Sequence, residues 1–199
     1  MEAVLYSFRR CPYAMRARMA LHYAGCAVHI HEVSLKAKPP EMLERSPKGT
    51  VPVLLVGEHV LEQSLDIMHW ALAQNDPDNW LLISDGDGRR QIQALVEEND
   101  LTFKHHLDRY KYFVRHPEHS QEHYRQLAEV FLQKLEDRLM NWDFLVADQV
   151  CLADIAIAPF IRQFSAVDPE WFATNPYPKV RGWLERFVQS ALFKAVMVK

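Results

Sequence analysis

Cys11 is the residue of this sequence best placed to do chemistry, because it follows a short apolar run and stands directly before Pro12. The run Ala3–Ser7 predicts a buried strand, and a helical pattern extends from Pro12 to about Ala24. Proline suits the first helical position, since its missing N–H would have no partner there. Cys11 is therefore expected at the helix N-cap, where its sulfur would face N–H groups and the positive end of the helix dipole, which favour thiolate over thiol.

Arg10 and Arg16 lie close to Cys11 in the sequence and add positive charge. We therefore predict a reactive cysteine with a low pKa. The alternative is a buried cysteine that packs as a small hydrophobic side chain, which is the usual state of an isolated cysteine. Ala14 occupies the third position after Cys11, so no neighbouring thiol is available to resolve a disulfide formed there.

The composition argues against several classes of function. A chain of 199 residues is long enough for one large or two small domains with a substantial core. A formal net charge of −3 gives no indication of nucleic-acid or membrane binding. No apolar run approaches the roughly 18 residues of a membrane span, and no secretory signal is recognisable. The three cysteines are irregularly spaced, which argues against a disulfide framework, so we expect a cytoplasmic protein.

Residues 1–75 alternate between strand and helix patterns. The first strand and helix are followed by a strand at 28–33 and by a short helix at 39–43 that two prolines open. A hairpin at 51–61 and a longer helix at 64–73 complete the region. The order β-α-β-α-β-β-α predicts a small α/β domain. Within it, Pro52 heads a strand in which it cannot donate a ladder hydrogen bond. A cis Val51-Pro52 bond would turn the Val51 backbone outward to pair with an extended ligand, whereas a trans edge-strand proline is the commoner alternative.

The remainder of the chain predicts only helices. Residues 76–88 are rich in Asp, Asn, Gly and Pro and are interpreted as a linker. The expected helices are 89–115, 120–145, 152–164 and 179–188, with a loop over 168–178 and a short tail. The segment 152–164 is apolar almost all round, so we expect it to be the buried central helix.

Three motifs in this order resemble the glutathione transferase superfamily. Arg10–Ala14 is similar to the active site of cysteine-type, omega-like members and to glutaredoxin with its second cysteine replaced. Gly49–Leu54 resembles the cis-proline loop of thioredoxin folds, which favours the cis form of the Val51-Pro52 bond. Gln63–Ile67 resembles the Glu/Gln-Ser pair that opens the third helix, and Leu152–Ala156 is similar to the buried helix start of the second domain.

The resemblance covers nearly the whole chain and implies a cysteine-type, omega-like or glutaredoxin-like member of bacterial origin. It implies an α/β thioredoxin-like N-terminal domain (1–75), a linker (76–88) and an all-α C-terminal domain (89–199). The implied enzyme is a glutathione-dependent thiol transferase or reductase in which Cys11 forms a mixed disulfide with glutathione. Its implied partners are glutathione and a small disulfide or electrophile, in a homodimer without a metal.

The resemblance also implies residues that bind glutathione. Ser64 would bind the γ-glutamyl carboxylate, and Gln63 would contact the same end, although many cysteine-type members carry Glu there. Val51, beside Pro52, would pair its backbone with the cysteinyl part, and Lys38 would reach the glycine carboxylate. The alternatives are an ordinary helix cap for Ser64 and a solvated loop charge for Lys38.

Other roles depend on the family alone. Tyr13 would pack beside the sulfur, and His106 and Tyr110 lie where the family places its second-substrate pocket. Conjugation of glutathione to small electrophiles is the alternative activity, and a non-catalytic binding module of the same fold is the second alternative. Cys151 stands where the family has Ser or Thr in a capping box with Asp154, so we expect a cap weaker by about 0.5–1 kcal/mol.

Overall fold

The computed structural model describes residues 3–198, which divide into two compact units. The first unit runs to Trp80 and also contains the residues from Ser190 onward, and the second spans Leu81–Gln189. The sequence interpretation assigned everything from residue 89 onward to one helical domain, so the assignment of Ser190 onward to the first unit is a difference. It arises because helix α10 (Ala191–Met197) packs against helix α1 (Pro12–Tyr23).

A four-stranded mixed sheet forms the centre of the first unit. Its strands are β1 (Ala3–Ser7), β2 (Val28–Glu32), β3 (Val53–Val56) and β4 (His59–Leu61). Their order is β2-β1-β3-β4, and β1 runs parallel to β2 and antiparallel to β3, with Leu5 paired to Ile30 on one side and Leu54 on the other. Gly57, at φ 57°, supplies the left-handed residue of the turn between β3 and β4. The sheet confirms the predicted α/β architecture.

Helices cover the sheet of the first unit. Besides α1 and α10 these are α2 (Pro40–Arg45) and α3 (Ser64–Gln74), and α1 packs against α3. A separate buried cluster joins Tyr6 of β1 and Val53 of β3 to Met42 of α2. Leu5 and Tyr6 point to opposite faces of β1 and are both buried, so β1 leads towards Cys11 from a rigid interior.

The second unit is helical throughout. Its helices are α4 (Gly86–Glu98), α5 (Lys104–Lys111), α6 (Gln121–Leu139), α7 (Leu152–Ser165), α8 (Pro169–Thr174) and α9 (Pro178–Gln189), with a π-helical turn at Asn99–Phe103 and a 3-10 turn at Phe113–Arg115. Helix α7 is buried along almost its whole length, as its apolar sequence predicted. Pro159 is accommodated inside this helix.

Side-chain caps start three helices where periodicity predicted a linker, loop or tail. Asp85 accepts hydrogen bonds from the N–H groups of Asp87 and Gly88 at 3.0 and 2.9 Å, so α4 begins at Gly86 and not at residue 89. Asp168 and Ser190 cap α8 and α10 in the same way. Glycine-rich or short segments give little periodic signal, and a single capping side chain decides them.

The long helices are also shorter than predicted. The π-helical turn interrupts the predicted helix 89–115, and α6 ends at Leu139 and not at residue 145. The segment after α6 is irregular because side chains bind its backbone: Arg138 donates to the Leu145 carbonyl at 3.1 Å, and Asp154 accepts from the Leu145 N–H at 3.0 Å. These contacts replace the helical hydrogen bonds of that segment.

Candidate active site

Cys11 occupies the N-cap of α1, as the sequence predicted. Residues 8–10 connect the end of β1 to Cys11, which has the extended backbone angles φ −73° and ψ 122°. The Cys11 N–H donates to the Phe8 carbonyl at 3.0 Å, and the Met15 N–H donates to the Cys11 carbonyl at 2.9 Å. Cys11 as a residue is half-buried, so it is partly accessible to solvent.

The sulfur of Cys11 lies beside the loop that contains Pro52. Its Sγ donates to the Val51 carbonyl oxygen across 3.8 Å, and the Val51-Pro52 peptide bond is cis, as predicted. The sequence led us to expect the sulfur to face the N–H groups of the first turn, but Cys11 makes no side-chain capping hydrogen bond to α1. A thiol has a proton to donate to a carbonyl, whereas a thiolate accepts from N–H groups, so the contact with Val51 is one that only the thiol form makes.

Arg16 connects the start of α1 to the start of α3. Its Nε donates to Ser64 Oγ at 2.9 Å, and both side chains are buried. The guanidinium also lies over the Tyr13 ring, 5.1 Å from its centroid. The sequence interpretation treated Arg16 as a charge near Cys11, and the structure shows instead that it holds Ser64. The Ser64 hydroxyl that accepts from Arg16 still carries a proton of its own to donate.

The other predicted glutathione contacts lie in the same unit. Gln63 is exposed at the N-cap of α3. Lys38 is half-buried, and its side chain lies beside Gly49: the Nζ atom is 3.7 Å from the position that a Cβ atom on Gly49 would take. The Lys38 side chain therefore lies next to the segment that leads to Val51. Gly49 has φ +62°, which also favours glycine at this position. The structure therefore places Lys38 on the Val51 side of the site and Gln63 at the α3 side.

Arg18 is a feature of the site that sequence reasoning missed. It lies on α1, only 3% exposed, and donates to Ser7 Oγ at 2.6 Å and to the Arg9 carbonyl at 2.9 Å. The signal that could have found it is an arginine within the helical pattern of α1, because an arginine that is buried there needs several hydrogen-bond acceptors.

The two other cysteines have different surroundings. Cys151 is fully buried and its Sγ donates to Asp154 Oδ2 at 3.3 Å; burial and the Asp154 charge raise the pKa of this thiol. Burial also raises the pKa of the Cys26 thiol. Both thiols therefore stay protonated at neutral pH, which leaves Cys11 as the candidate nucleophile among the cysteines.

The predicted second-substrate residues belong to the second unit. Tyr110 is 2% exposed and its ring lies 5.1 Å from that of Phe164, so it is part of an aromatic core, and burial raises its pKa to about 12. His106 is half-buried, and no described residue hydrogen-bonds to its Nδ1. Burial, followed by the charges of His105, Arg109 and His123, lowers the pKa of His106. A role of either residue in binding a second substrate stays a prediction.

We expect His106 to make the protein less stable in mild acid. Its folded-state pKa is lowered, so the unfolded chain binds more protons, and the free energy of unfolding falls as the pH drops below about 6.5. Urea unfolding at about pH 7.5 and about pH 5.5 measures this loss. His106→Gln should lose less stability than the wild type, whereas His69→Gln, at an exposed position of α3, should lose as much. Equal losses in the two variants would contradict the prediction.

Residues 3–198 contain neither a grouping of side chains that suits a metal ion nor a helix that suits a membrane span. No group of three or more His, Cys, Asp and Glu side chains there is arranged to hold a metal ion. No helix in that range is both long and apolar enough to cross a membrane.

Comparison with known proteins identifies the family. A family model described as Glutathione S-transferase, N-terminal domain, matches residues 5–80, and one described as Glutathione S-transferase, C-terminal domain, matches residues 117–186. Glutathione S-transferase omega-1 of Mus musculus is 26% identical over 188 residues, which cover 93% of this chain and 76% of that protein. A probable maleylacetoacetate isomerase of Vibrio cholerae is 27% identical over 183 residues, covering 84% of each.

A solved structure shows the same fold. A glutathione transferase family member from Pseudomonas fluorescens, with two glutathione bound, has a TM-score of 0.84 at 20% identity and covers 98% of this chain and 92% of its own. The two family models, the relatives and the shared fold all indicate the same family. The chain therefore belongs to the glutathione S-transferase superfamily.

Proposed function

We propose that the protein is a glutathione-dependent thiol transferase of the cysteine type, in which Cys11 forms and then releases a mixed disulfide with glutathione. We further propose that it acts in the cytoplasm as a homodimer. The observation that carries the proposal is the position of Cys11, half-buried at the N-cap of α1 with its Sγ against the Val51 carbonyl. The raised pKa of the Cys26 and Cys151 thiols supports the choice of Cys11 as the reacting sulfur.

The proposed reaction has two thiol–disulfide exchanges. In the first, the Cys11 thiolate attacks the glutathionyl sulfur of a small mixed disulfide, a bond forms between Cys11 and glutathione, and the substrate thiol leaves and takes up a proton. In the second, the thiolate of another glutathione attacks the glutathionyl sulfur on Cys11, which releases glutathione disulfide and the Cys11 thiolate. Overall, one free glutathione reduces the substrate: its sulfur pairs with the glutathionyl sulfur of the mixed disulfide to give glutathione disulfide, and the substrate is released as a thiol. Ala14 cannot act as a resolving residue, so the second glutathione is required.

The first turn of α1 gives the thiolate its physical support. Its N–H groups, including that of Ala14, and the positive end of the helix dipole would stabilise a negative sulfur at the N-cap. A stabilised thiolate is also the better leaving group in the second exchange. Ionisation removes the proton that Sγ donates to the Val51 carbonyl, so the sulfur should then turn from that oxygen towards the helix.

The proposed glutathione site lies around this sulfur. Val51 would pair its backbone with the cysteinyl part, and the contact of its carbonyl with Sγ supports that position. Ser64, held by Arg16 at the start of α3, would bind the γ-glutamyl carboxylate together with the helix N–H groups. Lys38 would pair with the glycine carboxylate, and Gln63 would contact the amino-acid end without the charge that a glutamate offers the ammonium group.

Trapping the covalent intermediate tests the proposal. After incubation with glutathione disulfide, the protein should gain the mass of one glutathione, peptide mapping should assign it to Cys11, and added glutathione should remove it. The Cys26→Ser protein serves as the control and should gain the same adduct. An adduct on another cysteine, or none, would overturn the proposal.

Further assays on the same protein distinguish two alternative functions that do not involve this covalent intermediate. If no adduct forms but glutathione is joined to a small aryl halide, the protein is a conjugating transferase. If there is neither adduct nor conjugation, and the protein is not retained on immobilised glutathione, the fold serves as a binding module.

A further inference from the structure

We infer that Arg18 is a positioning residue for the reaction of Cys11, and that it couples helix α10 to the loop that carries this cysteine. The inference deepens the proposed function, because it rests on Cys11 as the nucleophile. It concerns residues within the first unit only.

Arg18 joins the two ends of the connection between β1 and α1. Its Nη1 donates to Ser7 Oγ at 2.6 Å, at the end of β1, and its Nη2 donates to the Arg9 carbonyl at 2.9 Å, two residues before Cys11. The Arg9 N–H in turn donates to Glu32 Oε1 at 2.8 Å, which connects the same loop to β2. The conformation of residues 8–10 is thus set from both sides, and Cys11 follows directly.

The same guanidinium reaches α10. Its Nε donates to the Val196 carbonyl at 3.3 Å, and its Nη2 lies 3.6 Å from the Met197 Sδ. Helix α10 is only seven residues long and packs against α1, so these contacts at its end connect it to the Cys11 loop across 178 positions of sequence. Guanidinium suits this role, since its fork of donors reaches several acceptors at fixed angles, whereas lysine offers one compact ammonium.

The hydrogen-bond acceptors around Arg18 are neutral: a hydroxyl, backbone carbonyls and a thioether. The charged groups that act on it are Glu32 of β2, and Cys11 and Arg9 of the loop. Burial lowers the pKa of Arg18, while the charges of Glu32 and ionised Cys11 oppose that effect. Because such an interaction is mutual, the buried cation favours the thiolate form of Cys11.

Alkylation of Cys11 measures this effect without glutathione. We would follow the reaction of the Cys11 peptide with iodoacetamide by mass spectrometry over a range of pH. In Arg18→Met, the half-maximal pH should move upward, and the rate at neutral pH should fall about three- to tenfold. Arg18→Lys keeps the charge, so its half-maximal pH should stay close to that of the wild type. Arg138→Met, which removes a half-buried arginine of the second unit that also donates to a carbonyl, should leave the profile unchanged.

Hydrogen exchange tests the coupling between α10 and the Cys11 loop independently of alkylation. It uses Arg18→Lys, so it can be measured even if Arg18→Met does not fold. In Arg18→Lys the amide protons of Arg9 and Cys11, and those of α10, should exchange faster together, because one ammonium cannot hold Ser7, Arg9 and Val196 at once. Unchanged exchange in that variant, or an unchanged alkylation profile in a folded Arg18→Met protein, would overturn the inference.

The failure of this inference is separable from the failure of the proposed function. A shifted alkylation profile in a protein that forms no glutathione adduct would retain Arg18 as a positioning residue and reject the thiol transferase. Normal glutathione turnover in the wild type, together with an unshifted alkylation profile in Arg18→Met, would retain the thiol transferase and reject Arg18 as a positioning residue.

Discussion

Replacing Cys11 with serine is expected to abolish glutathione-dependent reduction of a small glutathione mixed disulfide, lowering kcat/KM by at least about a thousandfold. A serine oxygen cannot form the disulfide on which both exchanges depend, and its hydroxyl is not ionised at neutral pH. The backbone position of residue 11 should be kept, because the N–H to Phe8 and the carbonyl to Met15 do not involve the side chain. The measurement is the rate of glutathione disulfide production at saturating and limiting substrate.

Another cysteine of the chain provides the control for this variant. Cys26→Ser should retain activity within about twofold, since burial keeps the Cys26 thiol protonated. Turnover that survives in Cys11→Ser would reject Cys11 as the nucleophile and direct attention to nearby hydroxyl groups. Tyr6 and Ser7 are buried, with Ser7 bound to Arg18, so the half-buried Tyr13 would be the first to replace.

Replacing Asp154 with alanine is expected to lower the free energy of unfolding by about 3–5 kcal/mol. The Asp154 carboxylate is fully buried and accepts from the backbone N–H groups of Leu145 and Cys151, both at 3.0 Å, and from Trp183 Nε1 at 2.8 Å. Alanine would leave these donors buried without an acceptor. Urea unfolding followed by circular dichroism measures the loss, and the midpoint should fall while the slope stays similar.

Asp154→Asn and Cys151→Ser are the matched comparisons. Asparagine keeps one carbonyl oxygen but turns a donor towards the Cys151 N–H, so its loss should be smaller, about 1–3 kcal/mol. Serine at position 151 keeps a donor to Asp154 and accepts better than sulfur, so stability should be unchanged or rise by about 0.5–1 kcal/mol. A wild-type unfolding midpoint in Asp154→Ala would show that this network does not stabilise the helical unit.

Local sequence signals determined most of the elements. Pro12 started α1 and Gly25, at φ 70°, ended it, as expected from the conformations these residues favour. Alternation and apolar runs located the strands, and the continuous apolar segment of α7 identified the buried helix. Where the signal was short, as in α8 and α10, caps and packing decided the structure and periodicity failed.

The candidate site was predicted by resemblance more than by residue chemistry. Among the residues of the site, only the position of Cys11 was predicted from local sequence. A cysteine directly before a helix-starting proline is expected at the N-cap of that helix. Nothing in the sequence shows that Val51 and Ser64 approach this helix, since they lie 40 and 48 residues from their partners Cys11 and Arg16. The family motifs supplied these positions.

The sequence by itself therefore determined the α/β and helical regions, the N-cap position of Cys11 and the absence of a neighbouring resolving cysteine. Only the tertiary structure decided that Arg16 binds Ser64, that Arg18 joins the Cys11 loop to α10, and that the Cys11 sulfur donates to the Val51 carbonyl. The reason is physical: capping and periodicity depend on residues within one or two helical turns, whereas a buried guanidinium takes acceptors from whichever segments the fold packs around it.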